Sequence, residues 1–401
     1  MLYLIRTALQ PFIAAVMAFI MSVSAAFGVA GDTEVKNPEE FDNVKNVIYL
    51  IGDGMGVFHL EKTKLERGVS LVMDEFEIEG RSQTRSLSNA VTDSAAGGTA
   101  LATGVRTYNG GLGVYMYDPL GVESHPKSLT ELCEERGMMT GIVTSDKTSG
   151  ATPSSFSVHT SSRDNTKDID KQQMASDFDL IWGAASDYVS KDTCEENGFT
   201  YVSTYSEMMA LTEGTRSFGQ FGSYTWKTTQ SDEENPTLSQ MSAKAIDLLD
   251  DTDEGFFIMI EGAHIDKHSH SNDSEAMTEA LMEFDKTVAY ALEYAKQDGE
   301  TLVVVTADHE TGAIVLNDDG TYSYTSGSHS AADVPVLVYG STNFIENGET
   351  VKNTDIPVRI AYSLGFAAEE LPFEVFSGVV DFFVGASDKL GEVAGKLENA
   401  A

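Results

Sequence analysis

The stretch VIYLIGDGMG, residues 47–56, shows the pattern on which the rest of the chain is built. Its apolar part, residues 47–51, runs without a polar interruption into the glycine-rich turn GDGMG. An apolar run of this length, bounded by a turn, is typical of a strand buried on both faces of a sheet. We therefore expect a buried strand whose carboxyl end presents Asp53.

Strand and helix patterns alternate along the rest of the chain. Ser128 and Glu131 have the spacing of a capping box, and Gly137 ends the helix that they begin. Apolar residues at helical spacing predict further helices over residues 237–249 and from Met277 to the stop at Gly299. Apolar runs predict strands at 140–143, 256–260, 302–305 and 334–339. Apolar strands that alternate with helices predict an α/β protein, a three-layer α/β/α sandwich with a large, mainly parallel central sheet.

The amino terminus resembles an export signal. Arg6 is the only charged residue among residues 1–30, and the apolar stretch 12–29 ends among small residues. This pattern predicts a signal peptide over residues 1–30, with several cleavage sites that fit. An uncleaved anchor is the alternative, because the stretch approaches the roughly 20 residues of a spanning helix. A cleaved signal predicts a periplasmic or secreted protein without stable membrane association.

Residues 31–401 contain no repeat or long linker that marks a domain boundary. We expect a single domain, with an insertion or peripheral region around 164–235, where polar residues and glycine interrupt the strand–helix alternation. A helical tail is predicted around 373–401 from apolar residues at roughly helical spacing.

The charge balance is strongly acidic. Lys and Arg total 26 against 63 Asp and Glu, a formal charge of −37. Such a surface repels nucleic acid and anionic lipid, which bind to basic patches, so no nucleic-acid-binding surface is expected. The two cysteines, Cys133 and Cys194, lack CxxC spacing, and the sequence leaves their pairing open.

Three predicted strands deliver an acid at their carboxyl ends, where ligands bind in open α/β sheets. Asp53 follows the first strand, Glu261 follows residues 256–260, and Asp308 follows the run at 302–305 with His309 beside it. Three acids at one edge of a sheet would repel one another unless cations neutralised them. The pattern therefore predicts a metal site.

The segment EGAHIDKHSH, residues 261–270, concentrates further oxygen and nitrogen donors. Asp266 and His270 are four apart and would share one face of a helical turn, as ligands of one zinc ion could. His264 and His268 have the same spacing, so spacing does not choose between the pairs. His329, in the loop SGSHSAAD, is either a further ligand or a solvated loop histidine.

The run VTDSAAGGTALATGVRTYNGGLGV, residues 91–114, places Ser94 before small, helix-compatible residues. A serine at a helix N-terminus lies where backbone N–H groups favour an anion such as phosphate. The alternative is structural, with Asp93 or Ser94 serving only to cap the helix.

Taken together, these motifs resemble those of the alkaline phosphatase family over residues 46–340. The resemblance is carried by GDGMG, TDSAAGGTA followed by TGVRTYNG, ATPSSFSVHTSSR, EGAHIDKHSH, TADHE and GSHSAADVP, which stand in the family's order. It implies an enzyme that hydrolyses small-molecule phosphate monoesters at alkaline pH through a phosphoserine intermediate. Many relatives are homodimers, so the resemblance makes a homodimer possible, and the sequence leaves the oligomeric state open.

The resemblance also assigns roles to residues. Ser94 would be the nucleophile and Arg163 the phosphate-binding arginine. Two Zn²⁺ ions and one Mg²⁺ ion are implied, with Asp53, Asp308 and His309 on one zinc, Asp266, His270 and His329 on the other, and Asp53, Thr152 and Glu261 on magnesium. The chain departs from the family at Gly150, where relatives often carry an acidic or histidine side chain that interacts with the position of Lys267.

Two other functions are alternatives to phosphate monoester hydrolysis. Phosphodiesterases and sulfatases of the same superfamily usually carry a threonine or a modified cysteine as nucleophile, whereas this chain has Ser94 within TDSAA. A secreted protein that only binds metal or phosphate would use the ligands but would leave Ser94 and Arg163 without a role.

Overall fold

A computed structural model describes residues 41–117, 122–222, 234–250, 252–367 and 371. The predicted signal peptide at 1–30 and the predicted tail at 373–401 lie outside the described residues.

The secondary structure alternates between strands and helices. The strands are β1 (Asn46–Gly52), β2 (Ile78–Gln83), β3 (Tyr115–Tyr117), β4 (Val122–Ser124), β5 (Met139–Lys147), β6 (Leu180–Ala184), β7 (Thr200–Val202), β8 (Ser217–Phe221), β9 (Phe256–Gly262), β10 (Thr301–Thr306), β11 (Glu310–Thr311), β12 (Val315–Leu316), β13 (Tyr322–Ser323), β14 (His329–Ser330), β15 (Val334–Tyr339) and β16 (Thr350–Lys352). The helices are α1 (Val57–Arg67), α2 (Ser94–Thr103), α3 (Leu129–Glu135), α4 (Ala151–Ser155), α5 (Thr166–Met174), α6 (Lys191–Glu196), α7 (Tyr205–Met209), α8 (Leu238–Leu249), α9 (His264–His270), α10 (Ser274–Asp298) and α11 (Asp355–Ser363), with a 3-10 turn at Val72–Glu75.

One sheet of 10 strands forms the centre of the molecule, in the order β16, β2, β15, β10, β1, β9, β5, β6, β8, β7. From β10 to β7 all neighbouring strands are parallel. β15 runs antiparallel to both of its neighbours, β10 and β2. The prediction of a mainly parallel central sheet is confirmed.

Alternate residues of β1 enter two hydrophobic cores on opposite faces of the sheet. Ile48 and Leu50 pack in one core with apolar residues of α8 and α10. Val47 and Tyr49 pack in the other with residues of α3 and α11. Because side chains alternate along a strand, a strand covered on both faces must be apolar throughout. The predicted three-layer α/β/α arrangement is therefore confirmed.

Local sequence signals set the helix ends. Ser128 caps α3, and its hydroxyl and the Glu131 carboxylate form the predicted capping box. α10 ends at Gly299, which adopts the left-handed conformation. Two strands run further than their apolar runs predict. β9 includes Glu261, and β5 continues to Lys147 because its polar end still pairs with β9 and β6.

The region around 164–235, which the structure describes as far as residue 222 and again from residue 234, adds strands to the central sheet. Its strands β6, β8 and β7 join β5 at one end of the sheet, with α5, α6 and α7 between them. Its status as an insertion within a single domain stays a prediction.

Both cysteines are free and buried, Cys133 in α3 and Cys194 in α6. Among the described residues, no helix combines the length and the apolar character that crossing a bilayer requires.

The packing of α10 predicts different costs for one substitution at two positions. Leu281 lies in α10 with a side chain 0% exposed, whereas Leu65 in α1 is 53% exposed. Leu281→Ala removes buried methyl groups and leaves a cavity, so it should lower the free energy of unfolding by about 2–5 kcal/mol. Leu65→Ala should change it by less than about 0.5 kcal/mol. Urea unfolding followed by circular dichroism measures both, and equal losses would contradict the assignment of α10 to the core.

Candidate active site

Strand order brings the three predicted acids to one edge of the sheet. β10, β1 and β9 are adjacent and parallel, so their carboxyl ends lie side by side. Asp308 and Asp53 follow β10 and β1, and Glu261 in β9 is paired with Ile51. All three acids are buried. The edge thus concentrates negative charge where little water can solvate it.

Ser94 opens α2 with its hydroxyl turned toward this edge. Asp93 is the N-cap, and its Oδ1 accepts a hydrogen bond from the backbone N–H of Ala96 at 3.0 Å. The Ser94 side chain is therefore not used for capping. Its Oγ lies 3.2 Å from Nε2 of His309. Of the two residues that could cap the helix, the structure uses Asp93, and Ser94 is left facing the acids.

The tautomer of His309 follows from its contacts. The Thr311 hydroxyl donates to Asp266, so its oxygen accepts from Nδ1 of His309 at 3.2 Å. Burial lowers the pKa of His309 to about 3. The neutral ring thus carries its proton on Nδ1 and directs the lone pair of Nε2 toward Asp308 Oδ2 and Asp53 Oδ1, at 3.2 and 3.6 Å.

Two carboxylate oxygens at this point have no hydrogen-bond donor. Asp308 Oδ1 accepts from the backbone N–H groups of Gly54 and His309, at 3.1 and 2.9 Å. Asp308 Oδ2 and Asp53 Oδ1 are buried and accept none. Buried acceptors are nearly always satisfied, so two that converge with an imidazole lone pair indicate a cation site. One donor atom from each of Asp53, Asp308 and His309 lies within 4.8 Å of the others.

Asp266, His270 and His329 form a second cluster beside the first. Nε2 of His270 lies 3.3 Å from Asp266 Oδ2, and Nε2 of His329 lies 3.6 Å from Asp266 Oδ1 and 3.1 Å from Nε2 of His270. Each ring presents Nδ1 to a backbone carbonyl, His270 to Gly327 at 2.9 Å and His329 to Thr92 at 3.0 Å. A carbonyl only accepts, so Nδ1 of each ring is the donor and both Nε2 lone pairs can face one zinc ion.

The pKa values reflect this crowding of charge. Burial and the charges of Asp266 and Glu261 raise the pKa of Asp308 to about 8. Burial raises the pKa of Glu261 to about 7. Burial and three neighbouring carboxylates hold the pKa of Asp53 well above its usual range. Hydrogen bonding to Asp266 raises the pKa of His270 to about 9. In the absence of metal, protons therefore supply the positive charge that the site needs.

The third predicted group is made of oxygen atoms. The Thr152 hydroxyl lies 3.4 Å from Asp53 Oδ2, on the other side of that carboxylate from His309. Glu261 accepts hydrogen bonds from the hydroxyls of Thr144 and Thr152. Carboxylate and hydroxyl oxygens are ligands that suit Mg²⁺.

The position of Lys267 differs from the family pattern in a way that the sequence alone did not show. Its ammonium group forms an ion pair with Asp146. Gly150 has no side chain with which it could interact. Both charges act on Glu261, where Asp146 raises the pKa and Lys267 lowers it.

Arg163 is fixed relative to the start of α2. Its backbone N–H donates to the carbonyl of Gly110 at 2.8 Å, and its Nη1 donates to Asp93 Oδ2 at 3.2 Å. The side chain is 37% exposed, so the guanidinium remains accessible to solvent. Asp93 thus caps the helix of Ser94 and holds Arg163 with the same carboxylate.

Several residues that contact the candidate metal ligands, or the elements that carry them, were not identified from the sequence. Thr311 connects His309 to Asp266, and Thr144 binds Glu261. His59 is buried, accepts from the N–H of Gly56 at 3.1 Å, and contacts the hydroxyl of Ser269 at 3.0 Å. It thereby connects the turn after β1 to α9. A threonine two residues after His309 is a weak signal, because its role depends on where α9 lies.

Among the remaining histidines, His264 is buried and contacts the hydroxyl of Ser145 at 3.2 Å. His159 lies between the carbonyl of Gly113 and the carboxylate of Glu131. Within the described residues, the groups of donor atoms close enough to share one ion are Asp53 with Asp308 and His309, and Asp266 with His309 and His329. They include neither of these histidines, nor His270.

Comparison with known proteins gives a consistent result. The family model described as alkaline phosphatase matches residues 44–182 and 186–325. Alkaline phosphatase 4 of Bacillus subtilis is 30% identical over 380 residues, which are 89% of this chain and 80% of that protein.

Solved structures agree with the sequence comparisons. The alkaline phosphatase of the Antarctic bacterium TAB5 superposes with a TM-score of 0.70 at 29% identity, over 81% of this chain and 99% of that one. A variant of the TAB5 enzyme with glutamate in place of a histidine superposes equally well, and it has Mg bound in its M3 site.

The raised pKa values predict that metal binding releases protons. At about pH 7, Asp308 and His270 are largely protonated in the metal-free protein, and both must lose a proton to coordinate a cation. Proton release per zinc bound should therefore decrease as the pH rises through the two values. Titration calorimetry in buffers of different ionisation enthalpy measures the release. His270→Ala should release fewer protons than His268→Ala in the range between about pH 7 and the pKa of His270, and equal release from the two would contradict the assignment.

Proposed function

This chain belongs to the alkaline phosphatase family, and on that basis we propose that it hydrolyses phosphate monoesters with Ser94 as the nucleophile. The observation that carries the proposal is the position of the Ser94 hydroxyl. It lies at the N-terminus of α2, 3.2 Å from Nε2 of His309 and beside the unpaired oxygens of Asp53 and Asp308. A phosphoryl group at this hydroxyl would meet the positive end of the helix dipole.

Two zinc ions fit the residues present. Asp53, Asp308 and His309 would hold one, and Asp266, His270 and His329 would hold the other. When bound, two such ions supply Lewis acidity that lowers the pKa of a hydroxyl or water and stabilises the attacking and leaving oxygens of an in-line displacement. The unpaired carboxylate oxygens, and the positions of Nε2 of His270 and Nε2 of His329 beside Asp266, are the features that support this assignment.

Ser94 would supply the nucleophile, and Arg163 would bind the phosphate group. Ser94 Oγ attacks phosphorus, the alcohol leaves on the opposite side, and a phosphoserine forms. Water then attacks the same phosphorus and releases inorganic phosphate with Ser94 regenerated. The planar guanidinium of Arg163, held by Asp93, would bind two phosphate oxygens and stabilise the charge that develops on them.

A magnesium ion is proposed at Asp53, Thr152 and Glu261. The oxygen-only donor set supports it, and so does the TAB5 variant with Mg in its M3 site. Because Asp146 and Lys267 form an ion pair and both charges act on Glu261, we propose that this ion pair tunes the site.

The remaining features of the proposal concern the whole protein. We propose small-molecule phosphate monoesters as substrates, an alkaline pH optimum, a location in the periplasm or outside the cell, and a homodimer. The resemblance of the motifs to those of the family supports these points.

The first prediction of the proposal concerns Ser94. Ser94→Ala removes the nucleophile and should lower kcat for p-nitrophenyl phosphate at least about 1,000-fold, because residues that act as one catalytic unit cannot be removed singly without large loss. Wild-type protein quenched in acid during turnover should carry covalent phosphate, and the variant should carry none.

The control is Ser206→Ala, in α7 at the far end of the sheet, which should keep the wild-type rate. Chelation should abolish activity and zinc should restore it. A zinc-loaded wild type that cleaves diesters or sulfate esters but no monoester would overturn the proposal, as would phosphate bound to a residue other than Ser94.

The second prediction concerns magnesium. Metal-stripped protein reloaded with zinc alone should gain activity on addition of Mg²⁺, and Glu261→Gln should lose this gain because it removes a charged oxygen ligand. Magnesium that has no effect on the zinc-loaded wild type would remove this ion from the proposal.

A further inference from the structure

Glu310 follows His309 in the chain but takes no part in the metal clusters described above. Its side chain is 4% exposed. The carboxylate accepts from the backbone N–H groups of Ala313 and Ile314, at 3.2 and 3.1 Å, and from the hydroxyl of Ser330. A buried carboxyl group with three donors, one residue from a candidate ligand, is an arrangement that the proposed chemistry does not explain.

The carboxylate lies inside a turn with unusual backbone geometry. Gly312 has φ +100° and Ala313 has φ +46°. A non-glycine residue in the left-handed region is strained and persists only where its surroundings enforce it. Here the N–H groups of Ala313 and Ile314 converge on one anion, so the Glu310 carboxylate stabilises the turn.

The turn at Gly312 and Ala313 is hydrogen-bonded to the loop at residues 325–330. The carbonyl of Gly312 accepts from the N–H groups of Thr325 and Ser326, at 3.1 and 3.0 Å, and its own N–H donates to Ser328 at 3.0 Å. The two-residue strands β11 and β14 add the pairs Glu310 with Ser330 and Thr311 with His329. Ser330 is therefore held both by the ladder and by the Glu310 carboxylate.

This loop orients both histidines of the second cluster. His329 belongs to β14, and its ring stacks on that of His309 with the centroids 3.6 Å apart. The carbonyl of Gly327, in the same loop, faces Nδ1 of His270 at 2.9 Å and so sets the tautomer of that ring. A shift of the loop would displace one ligand and release the other from its orienting carbonyl.

We propose that Glu310 is a positioning residue for the second zinc site and acts on His329 and His270 through the loop at residues 325–330. The inference rests on the proposed function, since it assumes that Asp266, His270 and His329 hold a zinc ion. It makes that ion, and not the one at Asp53, Asp308 and His309, the ion that depends on Glu310.

Glu310→Gln tests the proposal with almost no change in size. The amide keeps one accepting oxygen but directs an NH₂ group at donors that the carboxylate satisfied. Zinc content is measured by elemental analysis after dialysis against a series of chelator-buffered zinc concentrations. The variant should keep the ion at Asp53, Asp308 and His309. The ion at Asp266, His270 and His329 should bind about 10- to 100-fold more weakly than in the wild type, as when residues that support metal ligands are replaced. Its kcat should recover at high free zinc.

The matched control is Glu283→Gln in α10. Glu283 is also buried, and its carboxylate accepts from the N–H and hydroxyl of Ser239, at the start of α8, at 3.0 and 2.6 Å. This variant should lose stability and keep both zinc affinities. Ser330→Ala should weaken the second ion, and Ser330→Thr, which retains the hydroxyl, should restore it.

The outcomes separate the two proposals. A wild type that binds no second zinc would remove the proposed zinc pair itself. A wild type that binds two, with a Glu310→Gln variant that binds both as tightly and loses only as much stability as Glu283→Gln, would leave the zinc pair standing and overturn the role of Glu310.

Discussion

The burial of carboxylates at the carboxyl edge of one sheet is the constraint on which the rest of the structure depends. Asp53, Glu261 and Asp308 are there because β1, β9 and β10 are adjacent and parallel. Their charges cannot remain without positive partners, and the raised pKa values of these groups express that demand. The surrounding histidines, hydroxyls and backbone N–H groups meet part of it and leave specific oxygens unpaired.

Close packing brings Ser94, the proposed nucleophile, to this edge. A Cβ on Gly97 would come within 2.8 Å of the carbonyl oxygen of Asp308, and one on Gly98 within 2.2 Å of the Ser155 hydroxyl. The two glycines in SAAGG therefore let α2 lie directly against the end of β10 and against α4, which carries Thr152. The small residues after Ser94 serve this approach as well as helix formation.

Much of the fold and of the site follows from local sequence patterns. The apolar runs at 47–51 and 302–305, the capping box at Ser128 and the glycine stop at Gly299 predict their elements because each depends on neighbours in the chain. The position of an acid at the end of each of three predicted strands also predicts that these acids share one edge of the sheet. The contact of Asp93 with Arg163, and the contacts that Thr311 and Lys267 make with acids, could not be predicted. Each joins elements that are far apart in sequence. The choice of Asp93 over Ser94 as helix cap needed coordinates, since both residues can cap.

Asp53 gives the site a property that its separate parts do not have. One of its oxygens faces His309, and the other faces the Thr152 hydroxyl. A single carboxylate thus lies between the proposed zinc and magnesium positions, and a cation bound on one side would polarise the oxygen available on the other. Binding at the two positions is then thermodynamically linked, and the linkage is reciprocal: the affinity of each ion reports the occupancy of its neighbour.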